Sequence, residues 1–395
     1  MATIADYMAP AATLPHDSAQ AALAGRVWLP QVAGPAVAVV RDGALYDISA
    51  LTPTMRDLAE ASDPAEIVRG GNGPLIAPLV EVLANTPEAG RDKGRPWLLA
   101  PIDLQAIKAA GVTFPRSMLE RVIEEKARGA PERAHAIRAI VERQLGGDLT
   151  RLVPGSPQAR ELKRVLIEQG AWSQYLEVAI GPDAEIFTKG QPMSAVGHGM
   201  EAGLHPISSW NNPEPEVVLL VSSKGVICGA TLGNDVNLRD VEGRSALLLS
   251  KAKDNNASTA IGPFVRFFDA AFTLQSVRRI EVQLTVEGED GFSLEGRSSM
   301  SEIARDPADL VAQLLGPHHQ YPDGAALFLG TMFAPTKDRA GEGQGFTHRI
   351  GDISRVCAAE LGTLANRMTL STSAPPWEFA CGALMRNLAR RGLLC

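Results

Sequence analysis

Residues 211–240 read NNPEPEVVLLVSSKGVICGATLGNDVNLRD, and the order of residue types in this stretch dictates how the chain around it folds. An aliphatic run from Val217 to Val221 meets Ser222-Ser223-Lys224-Gly225 and then a second apolar run, the pattern of a β-hairpin. Side chains at i and i+2 of a strand share a face, so Glu214 and Glu216 project together. A turn at Ser222–Gly225 pairs Val221 with Val226, sets Glu216 opposite Thr231 and Glu214 opposite Gly233, and leaves Asp235 diagonal to Glu214 on the same face. Three carboxylates on one patch, with no arginine interleaved, repel one another strongly at low effective dielectric. A hard divalent cation removes that cost, and oxygen-only ligation suits Mg²⁺, with Mn²⁺ or Ca²⁺ as substitutes. The spacing alone leaves a second reading open: a solvated strand end whose acids resist edge pairing.

Outward from this stretch the pattern stays rich in strands. RRIEVQLTVEGEDGFSLEGRSS and GAALFLGTMFAP read as further strands and turns that do not alternate with helices, which favours a mostly-β or α+β unit built from hairpins. On the N-terminal side, residues 27–49 alternate about Arg41-Asp42-Gly43, a hairpin turn, and are followed by the helical TPTMRDLAEA. A small N-terminal α+β domain over residues 1–100 is the expectation, with the remainder, 101–395, forming the larger unit. Within the larger unit, RSMLERVIEEKARG, PERAHAIRAIVERQLGG and SPQARELKRVLIEQGAW predict two or three amphipathic helices inserted at about residues 116–170, with Pro131 in a first turn and Gly146-Gly147 as a stop.

Composition narrows the function. The 395 residues are 45% hydrophobic and 21% charged, ample for a buried core, with disorder expected only in the first twenty or so. A net charge of −7 without a clustered basic face argues against nucleic acid. No run approaches the length of a membrane helix and no leader pattern opens the chain, so a cytoplasmic protein acting on a small metabolite is expected. Cys228, Cys357, Cys381 and Cys395 contain no CxxC pair and read as reduced, mostly buried thiols.

Glu214, Glu216, Asn234-Asp235-Val236, Arg239-Asp240, Ala252-Lys253, Gly262-Pro263 and Gly330-Thr331, in that order and spacing, resemble the fumarylacetoacetate hydrolase superfamily. That resemblance implies a C-terminal mixed β-roll or sandwich catalytic domain that dimerises or pairs into tetramers. It also implies a Mg²⁺ held by Glu214, Glu216 and Asp235, and a 2-oxo acid ligand with Lys253 and Thr331 beside it. Hydrolytic members carry Gly-x-Asn-Tyr-x-x-His ahead of a glutamate. Here Thr113 and Phe114 replace the Asn-Tyr pair and Ser117 stands at the histidine's position, while Glu120 keeps the glutamate.

The inserted helices, together with WSQYLEVAIGPDAEIFTKG and HHQYPDGAALFLGTMFAP, are similar to a sugar-acid branch of 2-keto-3-deoxypentonate dehydratases. The implied reaction converts 2-keto-3-deoxy-D-pentonate, from D-xylonate or D-arabinonate, to 2-oxoglutarate semialdehyde. A Mg²⁺-dependent hydrolase or decarboxylase of 2,4-diketo acids is the alternative. On the dehydratase reading Glu120 and Lys253 are the catalytic candidates, and Thr331, Lys189, Ser117, His198 and Asn234 the substrate-binding candidates. Arg239 and Asp240 are expected to form a structural ion pair beneath the metal.

Overall fold

The computed structural model describes residues 3–394 except 129, 131–132, 135–151, 169, 171, 334, 340 and 342–343. All but Arg133 and Ala134 of the predicted helix PERAHAIRAIVERQLGG lies outside the described residues, as does Cys395. The flanking predicted helices form at Pro115–Ala127 and Pro157–Glu168, each with proline at its first position, where the missing N–H costs nothing.

Eighteen strands are described. They are β1 Leu23–Leu29, β2 Gly34–Arg41, β3 Ala44–Asp47, β4 Leu75–Pro78, β5 Trp97–Leu99, β6 Ala106–Gly111, β7 Glu185–Gly190, β8 Glu201–Leu204 and β9 Asn211–Asn212. The second half comprises β10 Pro215–Val221, β11 Ile227–Asp235, β12 Asn237–Leu238, β13 Thr259–Phe267, β14 Glu281–Glu287, β15 Ser293–Ser299, β16 Ala325–Phe328, β17 Ile353–Ala358 and β18 Gly362–Leu370. An eleven-stranded sheet runs β4-β3-β2-β1-β13-β11-β10-β16-β6-β7 with β5 on β1, and a five-stranded sheet runs β15-β14-β17-β18-β8. The result is an α+β fold of mixed sheets with helices set around them.

The long sheet is buried on both faces at its middle, and β10 shows why its sequence is an unbroken apolar run. Val217, Leu219 and Val221 pack with Val282, Leu284 and Val286 of the five-stranded sheet. Val218 and Leu220 face the other way, with Met55 and Leu58 of the helix Met55–Glu60. A strand covered on both sides loses the alternation expected of a half-solvated one.

The turn at Asp42-Gly43 forms as read. Arg41 pairs with Ala44, and Asp42 and Gly43 take φ of 46° and 74°, the positive values a two-residue primed turn requires. The N-terminal strands continue the long sheet, because Leu23 and Ala24 of β1 pair with Arg266 and Val265 of β13. The expected N-terminal disorder is replaced by packing over residues 3–20: Thr13 is fully buried and Asp17 meets Arg266 at 2.6 Å. Among the described cysteines, Cys228 is buried, Cys357 and Cys381 are half-buried, and none is bridged.

The β10–β11 register differs from the sequence expectation by two residues. Val221 pairs with Ile227 rather than Val226, and a bulge at Cys228 adds a second displacement, so Glu216 faces Gly233 instead of Thr231. Side chains alternate with period two, so two one-residue displacements restore the original face. Asp235 therefore keeps its face but lies directly across from Glu214, whose carbonyl accepts its N–H at 3.0 Å, rather than diagonal to it.

A candidate divalent-metal centre

Glu214, Glu216 and Asp235 each offer one carboxylate oxygen, and these three atoms lie within 4.8 Å of one another, all buried. They sit where β10 begins and β11 ends, on the face of the long sheet away from the five-stranded sheet. Glycine at 233 lets Phe328 and Val218 close on that face beside the trio: a Cβ there would stand 2.3 Å from Phe328 and 2.7 Å from Val218. Behind the trio, Asn234 Oδ1 accepts the Glu214 N–H at 3.0 Å and its Nδ2 reaches Ser354 at 3.4 Å, so Asn234 positions the ligand strand from the opposite face.

Cations ring the trio, which corrects the expectation of three uncompensated acids. Lys253, closing the short helix Leu249–Lys253, bonds Glu214 at 2.5 Å and Asp235 at 3.0 Å. Lys189 of β7 meets Asp235 Oδ1 at 3.1 Å and donates to the Lys253 carbonyl at 2.5 Å. Arg121, from the helix Pro115–Ala127, binds Glu214 directly and also pairs with Glu124 at 2.8 Å and Glu242 at 3.1 Å. Glu216 forms no ion pair among the described residues, and Lys253 acts on it only at longer range. It accepts the Gly330 N–H at 2.6 Å and the Thr331 hydroxyl at 3.3 Å.

These surroundings push the carboxyls apart. Burial alone would raise Glu214, but Arg121 and Lys253 outweigh it and hold the group at about 2. Burial, with Asp235 and Glu214 adding, drives Glu216 well above the usual carboxylate range. Lys253 would fall on burial, yet Asp235 and Glu214 lift it above its ordinary value, so it stays an ammonium; Lys189 is lowered by burial. Burial, reinforced by Glu242, takes neighbouring Glu185 up to about 7.

The donor set fits a hard divalent cation: oxygen only, three carboxyls, buried, one of them without an ion pair among the described residues. Asp235 Oδ1 is buried with no aligned hydrogen bond, despite its contact with Lys189.

Glu120 is buried on the helix Pro115–Ala127, 3.3 Å from Arg239. Arg239 also binds Glu124 at 2.6 Å and stacks 4.4 Å over the Trp210 ring. Asp240 instead accepts from Ser208 at 2.7 Å and the Ser209 N–H at 2.8 Å, so the expected Arg239–Asp240 pair is not formed. The helix hydroxyl of Ser117 is spent on the Phe114 carbonyl at 2.9 Å.

The structure does not bring His198 to the cluster. Its Nδ1 accepts the Ala365 N–H at 3.0 Å and its Nε2 faces the Tyr7 carbonyl at 3.2 Å and the Thr13 hydroxyl at 3.3 Å. Burial pushes this imidazole down to about 4. The unfolded chain takes up a proton below about pH 6.5 while the folded chain does not, so stability falls as pH drops from about 6.5 to about 4. Urea unfolding at pH 7, 5.5 and 4 should show a loss of up to about 3 kcal/mol in wild type that His198→Gln removes.

Sequence reading missed Arg121, Glu124, Glu185 and Glu242. The signal for two of them was present: Ser117, Glu120, Arg121 and Glu124 fall at i, i+3, i+4 and i+7, one polar stripe of a helix, and all four are buried. A buried charged stripe needs charged partners from elsewhere in the fold.

A Haloferax volcanii protein named "Probable 2-keto-3-deoxyxylonate dehydratase" is 26% identical over 329 residues, covering 83% of this chain and 93% of its own. A Saccharolobus solfataricus 2-dehydro-3-deoxy-D-arabinonate dehydratase is 28% identical over 180 residues, 46% of this chain and 57% of its own. The fold matches a solved 2-keto-3-deoxy-D-arabinonate dehydratase complexed with magnesium and 2,5-dioxopentanoate, with a TM-score of 0.57 at 18% identity, over 88% of this chain and 98% of that one. The model of the fumarylacetoacetate (FAA) hydrolase C-terminal region matches residues 181–369, a stretch that contains the carboxylate trio, Lys189, Lys253 and Thr331. Residues 181–369, just under half of the chain, are thus similar to the C-terminal domain of the fumarylacetoacetate hydrolases.

Proposed function

We propose that this protein is a Mg²⁺-dependent hydro-lyase that converts 2-keto-3-deoxy-D-pentonate to 2-oxoglutarate semialdehyde. The observation that carries the reading is the buried trio Glu214, Glu216 and Asp235 with the side chains of Lys189 and Lys253 against it. The names of the two curated relatives support the substrate class, and the magnesium in the related solved structure supports the metal.

Glu214, Glu216 and Asp235 would hold the cation. When bound, a divalent ion polarises a chelated 2-oxo acid and acidifies its C3–H. The rest of the work falls to the chain's own side chains. Glu120 takes the proton from C3. The ammonium of Lys253, held protonated by Asp235 and Glu214, supplies positive charge and a proton as the C4 hydroxyl leaves as water. A proton then moves from C5 to C3, leaving a C4=C5 enol, and the proton of the enol hydroxyl passes to C4 as C5 becomes the aldehyde, so that the sum is loss of one water. Thr331 and Gly330 hold Glu216 in place, and Lys189 holds both Asp235 and the Lys253 backbone. Mn²⁺ or Ca²⁺ as substitutes, a homodimer or homotetramer and a cytoplasmic setting belong to the same proposal, on the strength of the sequence resemblance.

The test couples the purified protein to a semialdehyde dehydrogenase, with D- and L-2-keto-3-deoxypentonates supplied separately. Turnover of the D-acid that stops with EDTA and returns with Mg²⁺ is the expected result. Turnover of acylpyruvates instead would establish the 2,4-diketo acid alternative, and chelator-insensitive turnover would remove the metal from the mechanism.

A further inference from the structure

The ladder that carries the carboxylate trio does not stop at Glu214 and Asp235. Glu216 pairs with Gly233, Asp235 N–H bonds the Glu214 carbonyl, and Asn237 of β12 pairs with Asn212 of β9. These are successive rungs in one register, separated by two residues on each strand. With a period of two, Asn212 and Asn237 fall on the face of the carboxylates. Their neighbours point the other way: Val236 packs with Ala202, Leu204 and Met368, and Asn211 Oδ1 accepts the His348 N–H at 3.2 Å.

Both asparagines are fully buried. Three of their side-chain atoms, Asn212 Oδ1 and both Nδ2 and Oδ1 of Asn237, have no hydrogen-bond partner among the described residues. Asn212 Nδ2 is spent on the Pro213 carbonyl at 2.9 Å. Buried carboxamide atoms are almost always satisfied in folded proteins, so an unsatisfied rung beside a ligand site calls for a polar group from the ligand.

We propose that Asn212 and Asn237 form the subsite for the hydroxyl end of the substrate, selecting hydroxylated 2-oxo acids over plain ones. The inference rests on the 2-oxo acid reading of the trio. One rung is about 7 Å along the strands, comparable with the length of a five-carbon acid. A carboxamide presents both a donor and an acceptor, which is what a hydroxyl that both gives and takes a hydrogen bond requires. Asn237, with both atoms free, is the principal contact and Asn212 Oδ1 the second.

The test uses calorimetric titration of the Mg²⁺-loaded full chain with two acids that lack a C4 hydroxyl and so cannot be dehydrated: 2-oxopentanoate and 5-hydroxy-2-oxopentanoate. Wild type should bind the hydroxylated acid about tenfold more tightly. Asn237→Leu should bring that preference to within about twofold and leave the 2-oxopentanoate affinity unchanged. Asn212→Ser, measured in the same way, stands in if the leucine variant does not fold. Retention of the preference in the variants overturns the subsite alone. A parallel loss of both affinities marks the asparagines as structural and also overturns it. Failure of wild type to bind either acid removes the 2-oxo acid reading and the subsite with it.

Discussion

Glu120→Gln is expected to lower turnover of 2-keto-3-deoxy-D-pentonate by about 10²–10⁴-fold, the usual worth of one positioned proton transfer, with divalent-cation affinity unchanged. The substitution keeps the shape of the side chain and removes only its capacity to hold a proton. Glu120 lies outside the trio, and Arg239, its neighbour at 3.3 Å, retains Glu124 at 2.6 Å, so the helix stays anchored to the short helix Arg239–Glu242 that follows β12. Steady-state kinetics with parallel Mg²⁺ titration by calorimetry separate the two effects. Full activity in the variant would end the assignment of Glu120 as the base, and loss of cation binding would recast it as part of the metal site.

Lys253→Met should have a double effect. Methionine fills the volume but leaves Glu214 and Asp235 without the ammonium that now bonds both, at 2.5 and 3.0 Å. Breaking a buried pair from one side costs about 3–5 kcal/mol, because the remaining charge is stranded. Unfolding in EDTA should show that loss. Added Mg²⁺ should recover part of it, since a cation between the carboxylates offsets the same charge. Turnover should stay lost in Mg²⁺, because a metal cannot supply the proton that Lys253 gives. A variant that unfolds like wild type in EDTA would show that Lys253 does not balance these acids, and one that turns over in Mg²⁺ would show that it does not move a proton.

Much of this was legible from residue order. The apolar run of β10, the Asp42-Gly43 turn and the shared face of Glu214, Glu216 and Asp235 follow from local rules of strand periodicity and turn geometry. The face survived even a misread register, because a displacement of two residues leaves parity intact. The bulge at Cys228 was not legible, since no local residue preference marks an extra residue in the interior of an apolar strand.

The sequence by itself thus determined which side chains stand together on the hairpin, because strand geometry is local and repeats every second residue. Only the tertiary structure decided what surrounds them. Arg121 reaches Glu214 from 93 positions away, Lys189 reaches Asp235 from another strand, and His198 is drawn into backbone contacts with Tyr7 and Ala365 rather than toward the acids. Which distant charge meets a buried carboxylate depends on how the helix and sheets pack, and no spacing along the chain encodes that meeting.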